Sequence, residues 1–190
     1  MKKISFFICG ILILSFNVNA KEFEKFCKGV PSWPKGQDVR KNPGLKVYED
    51  VKLGKPIGAK FAIQKLSMPG WLVIDARDKA TRETTGRVIG ALLIVSDYQV
   101  KADNEFTLEK LLKSLNSKRA HKHLKKRSMA KIENIADLKK QKYILFCNGF
   151  KCHRSSFAAC QLRDMGVPFK NIYLALGGFD DMKSSGAKTR

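Results

Sequence analysis

Two thiols and a cluster of positive charge fall together in the segment Tyr143-Ile-Leu-Phe-Cys147-Asn148-Gly149-Phe150-Lys151-Cys152-His153-Arg154-Ser155-Ser156. A thiolate is both a nucleophile and a soft metal ligand, so what surrounds each sulfur decides its chemistry. Tyr143 to Phe146 reads as a buried strand, which puts Cys147 at its carboxyl end. The residues after the loop read as a helix. Backbone N–H groups at a helix start lack partners, and the helix dipole places partial positive charge there. Such a setting stabilises a thiolate and cradles an anion. Lys151, His153 and Arg154 add charge of the same sign, and Gly149 permits a tight turn. The loop from Asn148 to Ser155 is therefore expected to activate Cys147 and to hold an oxyanion or a sulfane-sulfur donor. Two other readings use the same residues. Cys147, Cys152 and His153 could capture a soft metal such as Cu(I), or Cys147 and Cys152 could form a purely structural disulfide.

The elements that must position this loop are legible as hydrophobic patterns. Trp71-Leu-Val-Ile74, ending in Asp75, is a continuous apolar run bounded by turn residues, as expected of a strand buried on both faces. Ala91 to Val95 is a second such run, Tyr143 to Phe146 a third and Asn171 to Ala175 a fourth. Helices are expected over Ala59–Leu66, from Thr107 (a cap) through Leu115, over Ile132–Lys140, over Ser155–Met165 before Gly166 and Pro168, and after Gly177-Gly178. Strands separated by helices imply an α/β fold with a mostly parallel central sheet and helices on both faces. Reactive groups in such sheets gather beyond the carboxyl ends of the strands, where Asp75 and Cys147 both fall. Asp75 and Arg77 are expected to brace the surrounding loops through hydrogen bonds or an ion pair. Cys160 is expected on the helix flank opposite Ala159 and Leu162, where it could meet the N-terminal arm.

Four segments in this order resemble the rhodanese family. Asp75-Ala-Arg77 follows a buried strand; Gly86-Arg-Val-Ile-Gly90-Ala91 is similar to the family's Gly-His-Ile-Pro-Gly-Ala segment, with Arg87 and Ile89 at its His and Pro positions. Cys147 with its loop, Arg154, Ser155, Ala158, Ala159 and Leu162 resembles the active-site loop and helix. Leu176-Gly177-Gly178-Phe179, with Gly186 beyond, looks like the closing Gly-Gly segment. The resemblance covers roughly Ala59 to Gly186. With six residues between Cys147 and Arg154, the loop is longer than the common sulfurtransferase loop. It is similar instead to a variant, Cys-x-Gly-x-x-Cys-x-x-Ser, fitted by Cys147, Gly149, Cys152 and Ser155. The resemblance implies a rhodanese-like fold and sulfur transfer through a Cys147 persulfide, from thiosulfate or another sulfane-sulfur donor to a thiol acceptor. Cys147, Cys152 and Arg154 would be catalytic. Asn148, Gly149, Phe150, Lys151, His153 and Ser155 would bind substrate, and Asp75 and Arg77 would give structural support. Cys152 could resolve the persulfide as a Cys147–Cys152 disulfide.

The remainder of the chain bears on where this chemistry would occur. Lys2 and Lys3, the apolar run Ile4–Phe16 and Val18-Asn19-Ala20 have the layout of a secretory signal over residues 1–20. That run of 13 residues is short of the ~20 that span a bilayer, so no membrane span is expected after cleavage. Residues 21–58, rich in Gly, Pro and Lys, read as an irregular arm carrying Trp33 and a short strand near Val47 and Tyr48. Residues 59–190 read as the folded domain. Cys9 would leave with the signal, and Cys27, Cys147, Cys152 and Cys160 would remain, an even number suited to an exported, periplasmic or secreted protein. The formal charge of +20 over 190 residues favours anionic partners, and export argues against nucleic acid. The basic insertion at 118–131 is expected to be a solvated lid or a patch for an anionic surface or an acidic protein. No nucleotide-phosphate loop, zinc-protease helix or haem-attachment motif is present, so neither a cofactor nor a resident metal is expected.

Overall fold

The computed structural model describes residues 54–97, 103–125, 129–150, 152 and 154–190. The expected signal, most of the arm with Trp33, Val47 and Tyr48, and the loop residues Lys151 and His153 lie outside these. No described helix is long and apolar enough to cross a membrane.

Five strands form one sheet: β1 (Lys55–Ile57), β2 (Trp71–Asp75), β3 (Leu92–Leu93), β4 (Lys142–Phe146) and β5 (Ile172–Ala175). Their order is β1-β5-β4-β2-β3, and every pairing is parallel. The helices are α1 (Ala59–Lys65), α2 (Lys79–Thr85), α3 (Leu108–Leu115), α4 (Lys118–Lys125), α5 (Ile135–Lys140), α6 (Arg154–Asp164) and α7 (Gly178–Ser184). Successive residues of a strand point to opposite faces, and both faces are covered. Leu72 and Ile74 of β2, with Tyr143 and Leu145 of β4, meet residues of α3, α4, α5 and α6. Trp71 and Val73, with Ile144 and Phe146, meet Ala59 and Ala62 of α1 and Phe179 and Met182 of α7. Two buried faces explain why the central strands read as unbroken apolar runs rather than as alternating ones. Tyr143 keeps its hydroxyl inside by donating to the Leu138 carbonyl at 2.8 Å, and burial raises its pKa.

Several expectations need correction. Lys55–Ile57 is an edge strand rather than irregular arm, paired in register with Tyr173–Ala175; three residues are too few to show a period. Part of the basic segment is an anchored helix. Lys118–Lys125 is helical, and Ala120 and Leu124 are buried in the core while Lys118, Lys122 and Lys125 are exposed. The charge count masked an apolar pair at helical spacing. α5 begins at Ile135 rather than Ile132 because Asn134 caps it, its Oδ1 accepting the Asp137 N–H. Cys160 does not lie opposite the core. α6 is buried nearly all round, and Cys160 belongs to the same cluster as Ala159 and Leu162. Cys160 is itself disulfide-bonded.

Candidate active site

The site is assembled where β2 and β4 end side by side. Asp75 pairs in register with Phe146, and the Ala76 N–H donates to the Phe146 carbonyl at 2.9 Å. Cys147 is the next residue. It is only 1 % exposed and is bonded to Cys152, with 6.0 Å between the two Cα atoms, inside the range a disulfide needs. Cys152 is half-buried. Its N–H donates to the Gly149 carbonyl at 3.0 Å, which closes the loop as a turn. Phe150 packs against the core, and Ser155 is buried in the first turn of α6. The disulfide thus ties the end of β4 to a residue two positions before α6. In this state neither sulfur is a nucleophile, and Cys147 becomes one only when the bond is reduced.

The wall beneath the loop is built from Arg77. Its Nε and Nη2 donate to Asp75 Oδ1 and Oδ2 at 2.9 and 2.7 Å. Nη1 donates to Thr85 Oγ1 at 2.8 Å and reaches Asn148 Oδ1 at 3.5 Å, while Nη2 also donates to the Gly86 carbonyl at 2.8 Å. The guanidinium lies 4.0 Å from the ring centre of Phe179. One cation therefore ties together the end of β2, the end of α2, the cysteine loop and α7. Both side chains of this pair are fully buried.

α7 holds the loop from the other side. The Phe179 and Asp180 N–H groups donate to the carbonyls of Cys147 and Asn148 at 2.7 and 3.2 Å. Gly178, at φ +63°, approaches so closely that a Cβ there would lie 2.5 Å from the Cys147 carbonyl oxygen. Gly149 faces the Gly177 carbonyl in turn.

Arg154 takes up a position that residue types alone do not disclose. Its Nη2 lies 3.2 Å from Asp78 Oδ2 and 3.2 Å from Asp97 Oδ2. Its Nε is buried with no hydrogen-bond partner among the described residues. Asp78 caps α2, accepting the Thr81 N–H and hydroxyl at 2.7 Å each. Burial opposes its ionisation, but those hydrogen bonds and the Arg154 charge prevail and hold its pKa below the ordinary carboxylate value. Asp78, Asp97, Thr85 and Gly178 were not singled out from sequence. Asp78 carried a readable signal, an Asp three residues before Thr81 at a helix start; Asp97 carried none. Among the described residues no group of three or more His, Cys, Asp or Glu side chains is placed to hold a metal ion.

The comparisons agree with this architecture. A family model described as "Rhodanese-like domain" matches residues 59–185. No curated protein matches. Among solved structures, a Rhodopseudomonas palustris protein of unknown function, described as a possible tyrosine phosphatase, is 18% identical, with 77% of this chain and 94% of that one covered at a TM-score of 0.46. A rhodanese-like domain from Anabaena sp. is 19% identical, with 71% and 77% covered at 0.43. A Bacillus halodurans protein is 18% identical, with 78% and 86% covered at 0.47. These likenesses are too distant to carry an argument about chemistry. The family model spans well over half of the chain, and on that match this chain belongs to the rhodanese-like domain family.

Proposed function

We propose that this protein transfers sulfane sulfur through a persulfide on Cys147 and that Cys152 closes the cycle. The observation that supports the reading is the bond between Cys147, at the carboxyl end of β4, and Cys152, just before α6, on a rhodanese-like scaffold. The bonded form is the resting, oxidised state. A reducing thiolate enters at the half-buried Cys152 sulfur, forms a mixed disulfide there and expels Cys147 as thiolate; a second thiol frees Cys152. The Cys147 thiolate then attacks the outer sulfur of a donor. The S–S bond of the donor breaks, its inner group leaves with the electron pair, and a persulfide forms on Cys147. An acceptor thiolate takes that outer sulfur. Alternatively, the Cys152 thiolate attacks Cys147 Sγ, expels hydrosulfide and restores the disulfide.

In this proposal the protein works after export, in keeping with the leader pattern of residues 1–20, in a compartment where the disulfide reforms readily. The exposed lysines of α4 offer an anionic surface or acidic protein a place to dock. The same bond also favours a second reading, dithiol–disulfide exchange with no sulfane sulfur involved. One experiment separates them. Reduced protein is supplied with a sulfane-sulfur donor and an acceptor thiol, and hydrosulfide and acceptor persulfide are measured. Sulfur transfer predicts turnover that is lost in Cys147→Ser. Disulfide reduction coupled to thiol oxidation, without any labelled sulfur moving from the donor, would replace it with the exchange reading.

A further inference from the structure

Arg82 is a cation held without an ion pair among the described residues. It lies half-buried in α2, and its Nη1 donates to the Asp75 carbonyl at 3.4 Å. Its Nε and Nη2 make no hydrogen bond among the described residues. Both atoms are open to solvent rather than sealed in the interior. Together they form one edge of the planar guanidinium, the same edge with which Arg77 grips both oxygens of Asp75. The carboxylates that act on Arg82 are Asp75, Glu105 and Asp78, and each is engaged elsewhere. Asp75 is held by Arg77, and Asp78 accepts from Thr81 and faces Arg154. Glu105 accepts the Val95 N–H at 2.6 Å and the Ser114 hydroxyl at 2.8 Å. Burial lowers the Arg82 pKa in spite of these three carboxylates, and the nearby Arg77 charge adds to the effect.

Arg82 lines a cavity of about 480 Å³, walled further by Lys79, Glu83, Arg87, Leu93, Glu105 and Arg190. Lys79 and Glu83 are exposed and offset each other at 3.7 Å. Arg87 and Arg190 are joined through their backbones, each N–H donating to the other's carbonyl, at 2.9 and 3.1 Å. Leu93 is half-buried and gives the wall an apolar surface. Small-molecule pockets run to roughly 300–1,000 Å³, so this one has room for a whole small molecule rather than a bare ion. A guanidinium edge matches two oxygens of one carboxylate or phosphate. We propose that the cavity is a binding site for a small organic anion, whose carboxylate or phosphate is gripped by Nε and Nη2 of Arg82 while its carbon skeleton rests on Leu93. The site uses neither cysteine of the loop and is independent of sulfur transfer.

The test is an amide NMR titration of the full chain, in its disulfide form and at physiological salt, with phenyl phosphate and with benzoate. The proteins are wild type, Arg82→Gln, Arg82→Lys and Lys60→Gln, the last of which removes an exposed charge outside the cavity. In the wild type the amides of Arg82, Glu83 and Leu93 should shift and saturate with at least one probe, and the tighter probe names the head group. Arg82→Gln should weaken that binding by about tenfold. Arg82→Lys keeps the charge without the fork and should lose nearly as much, while Lys60→Gln should bind as the wild type does. No saturable shift at these residues with either probe overturns the site, and so does an equal loss in Lys60→Gln. Wild-type affinity in Arg82→Gln overturns the role of Arg82; if that variant does not fold, wild-type affinity in Arg82→Lys does so. None of these results reads Cys147, so sulfur transfer stands or falls separately.

Discussion

Arg77 and Asp75 form a fully buried, two-pronged ion pair at the end of β2, with N–O distances of 2.9 and 2.7 Å. The remaining donors of Arg77 hold Thr85 and Gly86, and one of them reaches Asn148. Nothing in this arrangement leaves Arg77 free to touch a substrate; it fixes the floor on which the cysteine loop rests. Removing one partner of a buried pair strands the other charge, at a cost of about 3–5 kcal/mol. Arg77→Met should lose stability of that order in urea unfolding. A loss below about 1 kcal/mol, the range of surface pairs, would show that the pair does not hold the site together.

Gly178 makes a separate prediction. Its positive φ and its contact with the Cys147 carbonyl leave no room for a side chain. Gly178→Ala should cost roughly 2 kcal/mol or more and should speed reduction of the Cys147–Cys152 bond by dithiothreitol, because the loop loses its backing. Equal reduction rates in the variant and the wild type would show that α7 does not restrain the loop.

For Asp78 the sign of the pH effect follows from its lowered pKa. A carboxyl group that ionises more readily folded than unfolded contributes stability above its ordinary value of 3.8. It loses that contribution as pH falls from there through the lower folded value. Asp78→Asn should therefore be less stable than the wild type at neutral pH, and the gap should close in acid. Asp78→Ala should be weaker still, by about 1 kcal/mol, since the cap of α2 goes with the charge. A difference between wild type and Asp78→Asn that is the same at neutral and strongly acidic pH would contradict the assignment.

Leu124 tests the reassignment of the basic segment. It is 2% exposed, so Leu124→Ala should cost about 2–5 kcal/mol, measured by urea unfolding. A surface lid would tolerate the change with almost no loss.

How much of this was legible in the sequence follows from what each feature depends on. The four apolar runs announced strands because parallel strands bury both faces, and Thr107 announced a helix start because a cap is a local hydrogen bond, here to the Lys110 N–H. Asp75, Arg77 and Cys147 could be placed at strand ends for the same local reason. Asp97 could not be tied to Arg154, because the two are 57 residues apart and only the fold brings them together. The close approach of Gly178 to Cys147 was equally hidden, since a glycine pair reads as a turn until its neighbour is known. Charge counting did not reveal the anchoring of Lys118–Lys125, because two buried residues hold a helix whatever its other face carries.

The central claim is that Cys147 is the sulfur carrier and Cys152 its resolver, and a trapping experiment addresses it most directly. Reduced Cys152→Ser protein is treated with a sulfane-sulfur donor, quenched by alkylation and mapped by mass spectrometry beside the wild type. The account predicts one added sulfur atom on Cys147, persisting in Cys152→Ser and replaced by the Cys147–Cys152 disulfide in the wild type. A folded Cys152→Ser protein whose Cys147 takes up no sulfur from either thiosulfate or cysteamine persulfide would contradict it.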